Sequence, residues 1–382
     1  MVNKYKIIAE KMGTVWSDEM EKILRALYSP EEADILTLFK MPYADQLTAA
    51  QISKKLKRPI EELEPMLKEM ARTQRLFSAE KNNKRTYSMF PLLPGLFELF
   101  FSNHERTSKE ERETLLLFAE EYEKYYTSGK ILNLFNSSYP FMRVFVDQKI
   151  IDNNINSKGK LVEVNQEVEQ VKNDILPFEQ ARNFVEKSRR VSVMDCACRT
   201  HMKISNDGIP VNKYPINVCM AFNTWADYCI EQGFGKELTK QEALETLNAA
   251  AKAGLVHTTQ NITEKALFIC NCDRDCCVML RGIRLFNNPR MVASSNFLPE
   301  YDVNNCIFCQ QCVKLCPMNT IELINEDAEN KKINIDFNRC IGCGVCSFNC
   351  ANGALTMVKI FTKIPVENAM EAMKKSVEGR VN

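Results

Sequence analysis

The chain has 382 residues, 45% apolar and 26% charged, enough for two or three domains with real cores. A formal net charge of +1 gives no global field toward nucleic acid or an anionic membrane. Sixteen cysteines and an N-terminus, MVNKYKIIAEKMGTVWSDEM, with no apolar leader argue against a secreted disulfide scaffold and for a reducing cytoplasm. The most apolar stretch, PLLPGLFELFF, is too short and too proline-broken for insertion into a membrane.

Residues 4–28 predict one helix, with Ile7, Ile8, Met12, Trp16, Met20, Ile23, Leu24 and Leu27 spaced by threes and fours. Residues 31–90 read as a winged-helix-like order. A helix near 31–40 comes first, then AAQISKKL capped by Thr48, a turn at Lys57-Arg58-Pro59 and a third helix, IEELEPMLKEMARTQ. RLFSAEKNNKRTYSMF supplies two strands around Lys81-Asn82-Asn83-Lys84. In a DNA reader the third helix enters the major groove. Here Glu61, Glu62, Glu64 and Glu69 outnumber Lys68, Arg72 and Arg75 and would repel phosphates. The basic wing, Lys81, Lys84 and Arg85, leaves some contact open, but a structural or partner-docking role is the expectation.

Residues 91–180 show no chemistry. A charged helix is expected at 108–126, a strand at PFMRVFV, a polar turn at 153–160, a returning strand at KLVEVN and a helix at EQARNFVEKSRR; Arg143 reads as a packing residue. Residues 191–290 are different. VSVMDCACRTH predicts a strand ending in Cys196 and Cys198. Cys219 lies in PINVCMAF, and Cys229 on a helix, NTWADYCIEQ, as a buried thiol. A helix ending at Gly254 is followed by LVHTTQN. ALFICNCDRDCCVMLRG then predicts a strand running into Cys270, Cys272, Cys276 and Cys277.

Two apolar strands that end in paired cysteines place a site at one edge of a sheet. Cysteines this dense in a reducing compartment are usually metal-bound. The leading expectation is a third iron–sulfur cluster, its ligands drawn from Cys196, Cys198, Cys219, Cys270, Cys272, Cys276 and Cys277, with a structural zinc site as the alternative. In extended strands Cys196 and Cys198 share a face, as do Cys270 and Cys272. Adjacent Cys276 and Cys277 do not both suit one iron centre. Leftover thiols are open to a fourth centre, a dithiol couple or catalysis. Asp273, Arg274 and Asp275 either tune a cluster from outside its ligands or form a solvated turn. Arg199 would lower the pKa of Cys198 if close to it. The histidines are His104, His201 and His257, of which His201 is the one near a cysteine pair. C-x-x-C-H, G-x-G-x-x-G and P-loop patterns are absent.

Residues 304–351 carry the strongest signal. Cys306, Cys309, Cys312 and Cys316, then Cys340, Cys343, Cys346 and Cys350, each read C-x2-C-x2-C-x3-C, the run that holds cubane clusters. VNNCIFCQQCVKLCPMNTIELI aligns without a gap on FNRCIGCGVCSFNCANGALTMV, so two similar units share one core. In such a run the fourth cysteine, placed at the start of a departing helix, ligates the other cluster. That groups Cys306, Cys309, Cys312 and Cys350, and separately Cys340, Cys343, Cys346 and Cys316. Paired zinc knuckles are the competing reading. About residues 297–358 resemble the bacterial-type two-cluster [4Fe-4S] ferredoxin domain, which implies a small α+β fold and one-electron transfer. The first motif ends Cys316-Pro317 and the second Cys350-Ala351, a departure expected to loosen the helix start beside one cluster.

The chain as a whole, about residues 20–358, is similar to a group of iron–sulfur proteins of anaerobic bacteria and archaea. Those proteins join a winged-helix-like N-terminal part, a central C-x-C-R…C…C-N-C part and a two-cluster ferredoxin end. The matching residues are Cys196-Ala197-Cys198-Arg199, Cys219, Gly254-Leu255-Val256-His257, Cys270-Asn271-Cys272, Cys276-Cys277 and the eight ferredoxin cysteines. Related sequences carry extra cysteines where Asp273 and Asp275 stand, which leaves the number of central clusters open. The resemblance implies redox work.

The expected architecture is α+β and multidomain: a helical, winged-helix-like domain over 1–100, a central cysteine-rich α/β domain over 101–293, a two-cluster ferredoxin domain over 294–360, and a helix or tail over 361–382. The expected function is electron transfer in the cytoplasm, alone or as an oxidoreductase subunit, with redox partner proteins. Nucleic acid is not expected as a partner, and a homo-oligomer is left open. The alternatives are a reductase with its own centre in the central domain and a redox-responsive DNA-binding regulator.

Overall fold

The computed structural model describes residues 3–105, 108–151, 176, 179–205, 213–325 and 331–380. The expected turn at 153–160 and strand at 160–165 lie outside them. The chain forms two compact units. One comprises Met1–Leu134, Met194–Val211 and Thr224–Lys236; the other comprises Phe135–Val193, Asn212–Asn223 and Glu237–Asn382.

In the first unit, two helices form where the periodicity predicts one, Lys4–Lys11 and Asp18–Leu27. Gly13 turns the chain at φ 80°, and Ser17 starts the second helix by accepting from the Met20 N–H. Helices follow at Pro30–Thr37, Ala49–Leu56 and Ile60–Arg72, then a hairpin of β1 (Phe77–Lys81) and β2 (Lys84–Ser88). Thr48 and Gln51 cap each other's backbone reciprocally. Asn82 and Asn83 both take positive φ, as a two-residue hairpin turn requires. On the acidic third helix, Lys68 pairs with Glu64 at 3.1 Å, and Arg72 with Glu69 and Glu111, each at 2.7 Å. The Tyr228 hydroxyl, from the helix Thr224–Glu231, donates to the carbonyls of Ala71 and Leu76 at 2.8 and 3.2 Å.

Both Glu19 carboxylate oxygens accept from Lys130 at 2.8 Å. That bond, with one from Ser17, lowers the Glu19 pKa from 4.5 to about 2. A depressed carboxylate stabilises the fold above its unfolded pKa and loses that effect as pH falls toward its folded one. Lys130→Met is therefore expected to cost up to about 1 kcal/mol near pH 6 at this partly exposed pair. The difference from wild type should shrink between pH 4.5 and about 2, as read by urea denaturation of both proteins.

The second unit is built on six strands: β3 (Met142–Val144), β4 (Val191–Asp195), β5 (Asn217–Phe222), β6 (Lys236–Leu238), β7 (Val256–Gln260) and β8 (Phe268–Cys272). Their order is β3-β7-β8-β5-β4-β6. β7 runs antiparallel to β3 and β8, and β5 antiparallel to β8. Val191, Val193, Met220, Phe222 and Ile269 form one core with Phe184 and Val185 of the helix Ala181–Lys187 and Ala243 and Leu247 of the helix Lys240–Lys252. Arg143 is buried and donates to the Lys363 carbonyl at 3.3 Å; burial lowers its pKa to about 10.

The same unit ends in β9 (Phe297–Tyr301), paired antiparallel with β12 (Leu355–Lys359), and a hairpin of β10 (Ile321–Ile324) and β11 (Lys332–Ile335). Two short helices, Gln311–Leu315 and Val345–Phe348, and a C-terminal helix, Ala369–Glu378, complete it. Among the described residues no helix is long and apolar enough to cross a membrane.

Candidate iron–sulfur sites

Each ferredoxin motif wraps its thiols around a cavity by bending the backbone through left-handed residues. In the first motif these are Phe308, Gln310 and Asn319, with φ of 55°, 59° and 51°. In the second they are Gly342, Gly344 and Gly353, with φ of 67°, 76° and 66°. The three pairs are repeat-equivalent: glycine carries the strain freely in one half, and ordinary residues carry it in the other. The gapless repeat holds the signal for this, since each glycine of the second motif marks a left-handed position in the first.

One cavity is lined by Cys306, Cys309, Cys312 and Cys350; the other by Cys316, Cys340, Cys343 and Cys346. The fourth cysteine of each motif does not start a helix as expected. The short helix comes before it, because the third cysteine sits inside that helix, and a turn follows. The Asn319 N–H closes that turn on the Cys316 carbonyl at 3.3 Å, and the Gly353 N–H on Cys350 at 3.2 Å. The turn thus forms with or without the following proline.

The two cavities differ in depth. Ile307 of the first loop is 63% exposed, whereas its repeat partner Ile341 is 6% exposed. The second loop is held down by Ser295, whose N–H donates to the Ile341 carbonyl at 3.1 Å and whose hydroxyl donates to Gly342 at 2.5 Å. We call the cavities outer and inner.

The donor set fits cubane clusters. The Phe308 N–H points at the Cys306 sulfur at 3.4 Å and the Thr320 N–H at the Cys316 sulfur at 3.3 Å. Burial pushes the Cys312 thiol up to about 11 and raises Cys340, Cys343 and Cys346 as well. Thiols this desolvated become thiolates when a cationic core replaces their protons.

The central cysteines divide between the units. Cys196 follows β4, and Cys198 lies on a helix, Ala197–Ser205, so the two do not share a strand face; both belong to the first unit. So does Cys229, fully buried on its helix. His201 is also buried there, with its Nε2 3.0 Å from the Ala119 carbonyl. Cys219, Cys270, Cys272, Cys276 and Cys277 belong to the second unit. There the Cys270 thiol hydrogen-bonds to Cys219 and Cys272, and Cys272 to Cys277 and Thr258. These bonds pull Cys272 down to about 5, while the hydrogen bonds with Cys219 and Cys272, together with burial, raise Cys270. Among the described residues no three His, Cys, Asp or Glu side chains converge on a single-ion position. This holds equally for the ferredoxin cysteines, whose cubanes need thiolates set several ångströms apart.

Asp273 is buried and accepts from the Asp275 N–H at 2.9 Å; Asp275 pairs with Arg284 at 2.9 Å. Arg274 donates to the Cys316 carbonyl at 3.0 Å, a contact no sequence pattern announced.

Eight thiols in two cavities on a repeated loop–helix–strand unit define a ferredoxin-type two-cluster domain. Residues 305–359 match the family described as the 4Fe-4S dicluster domain, and through that segment the chain belongs to it. It is similar to the pyruvate synthase subunit PorD of Methanocaldococcus jannaschii, 36% identical over 63 residues, which are 16% of this chain and 69% of that subunit. PorD of Methanothermobacter marburgensis is 34% identical over 61 residues, 16% of this chain and 65% of the subunit. Subunit I of the NAD(P)H-quinone oxidoreductase of Gloeobacter violaceus is 37% identical over 66 residues, 16% of this chain and 32% of the subunit. The dicluster match supports two [4Fe-4S] clusters, and these relatives are named as subunits of pyruvate synthase and of NAD(P)H-quinone oxidoreductase.

Proposed function

We propose that this chain is a cytoplasmic electron-transfer protein or the electron-handling subunit of an oxidoreductase. Cys306, Cys309, Cys312 and Cys350 hold an outer [4Fe-4S] cluster, and Cys316, Cys340, Cys343 and Cys346 an inner one. A further centre lies among the central cysteines. The difference in depth between the two repeat halves carries this reading. A redox partner protein exchanges electrons at the exposed loop of Cys309 and Ile307, and the inner cluster passes them on within the second unit. The clusters supply one-electron chemistry; the chain fixes their spacing, excludes water from the inner one and aims N–H groups at ligand sulfurs. The helices and hairpin of residues 30–88 serve as a winged-helix-like module for partner docking, because the cations Lys68 and Arg72 on its third helix are already paired with carboxylates.

Anaerobically purified protein tests this. Each ferredoxin cluster contributes about four irons on cubane stoichiometry, so Cys309→Ala and Cys343→Ala should each lose about four irons and one reducible paramagnetic signal. A colourless wild type with no reducible signal would sink the reading.

A further inference from the structure

The two ferredoxin halves share one backbone frame. Ile321 pairs with Ile335 across β10 and β11, and Leu355 with Tyr301 across β12 and β9; in the gapless repeat these are equivalent pairs. The Asp336 N–H donates to the Thr320 carbonyl at 2.8 Å, and its equivalent, the Asp302 N–H, to the Ala354 carbonyl at 2.8 Å. A frame this symmetric isolates the side chains in which the halves differ.

At two equivalent positions one half carries a hydroxyl and the other an aliphatic group: Thr320 against Ala354, and Tyr301 against Ile335. Thr320 is buried and lines the inner cavity beside Cys316. Its N–H lies 3.3 Å and its hydroxyl 3.2 Å from the Cys316 sulfur. A cysteine sulfur bound to iron carries no proton, so the hydroxyl is then the donor. Ala354 lines the outer cavity at the equivalent place and has no hydroxyl to offer.

Tyr301 serves the other site. It ends β9 and lines the outer cavity with Cys306, Cys309, Cys312 and Cys350. Its hydroxyl oxygen is buried and has no hydrogen-bond partner among the described residues. The Cys306 thiol lies beside it, without the geometry of a hydrogen bond. A buried hydroxyl without a partner is costly, and the sulfurs of a cluster seated in this cavity are the acceptors it lacks.

We propose that Thr320 and Tyr301 set the potentials of the inner and outer clusters separately, each by donating a hydrogen bond to a sulfur of its own site. A hydrogen bond to sulfur favours the more negative, reduced core, so each residue raises the potential of its cluster. The shared frame holds the thiols, and the two hydroxyls make the sites independently adjustable. This inference rests on the ferredoxin reading above.

Redox titration of the full-length protein, purified without oxygen, tests it, with each signal assigned to its site from Cys309→Ala and Cys343→Ala. Thr320→Val and Tyr301→Phe each remove a hydroxyl and should keep all the irons. Thr320→Val should lower the inner midpoint potential and leave the outer one unchanged; Tyr301→Phe should do the reverse. In each, the equilibrium constant for one-electron reduction should fall roughly tenfold, about 59 mV. Thr320→Ser keeps a hydroxyl and should hold the inner potential near that of wild type, which a change of packing alone would not do. An unchanged potential at the variant's own site, both potentials moved by one variant, Thr320→Ser as low as Thr320→Val, or loss of irons from Thr320→Val or Tyr301→Phe would overturn the proposal while leaving the ferredoxin reading standing. Wild type without iron or a reducible signal would overturn that reading, and this inference with it.

Discussion

Gly342→Ala is expected to remove the inner cluster. An alanine Cβ at this position would stand 2.1 Å from the Phe297 carbonyl oxygen and 2.4 Å from Ser295 Oγ. Neither atom is free to give way: Phe297 is in β9, paired with β12, and Ser295 holds the loop by two hydrogen bonds. The residue also has φ of 67°, which costs an L side chain about 1–2 kcal/mol before any clash. Together these should destabilise the loop by about 3 kcal/mol or more. The variant should lose about four irons and one paramagnetic signal while keeping the outer cluster. Gly353→Ala is the control. Its φ is 66°, but a Cβ there meets nothing within 4 Å, so only the conformational cost remains and the iron count should hold. Full iron and unaltered potentials in Gly342→Ala would show that Ser295 and Phe297 do not clamp this loop.

The second large effect is expected at Glu179. Its carboxylate accepts from Lys359 at 2.8 Å, from Asn296 at 2.6 Å and from the Leu176 N–H at 2.8 Å. The Lys359 and Glu179 side chains are only 5% and 2% exposed. Lys359 ends β12, so the pair ties the ferredoxin strands to the segment ahead of the helix Ala181–Lys187. Glu179→Ala strips a buried ammonium of that carboxylate and should cost about 3–5 kcal/mol, whereas pairing it with Lys359→Met should recover part of the loss. Chemical denaturation of the two variants and wild type, followed by cluster absorbance, decides this. A loss below about 1 kcal/mol in Glu179→Ala would mean that the burial seen here carries little electrostatic weight.

The ferredoxin site is the most legible part of the chain because its information is local. A C-x2-C-x2-C-x3-C run fixes how far the backbone travels between thiols, and the repeat shows that it happens twice. The order of helices and hairpin over 30–88 is also written locally, in the Thr48–Gln51 box and the Asn82-Asn83 turn. What the sequence hides is what depends on distant partners. Nothing local separates Ile307 from Ile341, yet one faces solvent and the other is buried. Cys196 and Cys198 alternate as a strand should, but the chain turns into a helix between them. The choice among Cys219, Cys270, Cys272, Cys276 and Cys277 needs the β5–β8 register, which no single segment carries. The two compact units also interleave along the chain, an arrangement that a linear division into domains does not express.

That interleaving bears on how the protein is made. The first unit takes its final segments from Met194–Val211 and Thr224–Lys236, and its Ala71 and Leu76 carbonyls get a donor from Tyr228. At roughly 5–20 residues per second, a nascent chain that has emerged as far as Leu134 waits about 5–20 s for that tyrosine to be translated. During the wait its apolar surface lies open on the ribosome, so chaperone dependence should concentrate in this window, before any cluster-binding cysteine of the ferredoxin part has been synthesised.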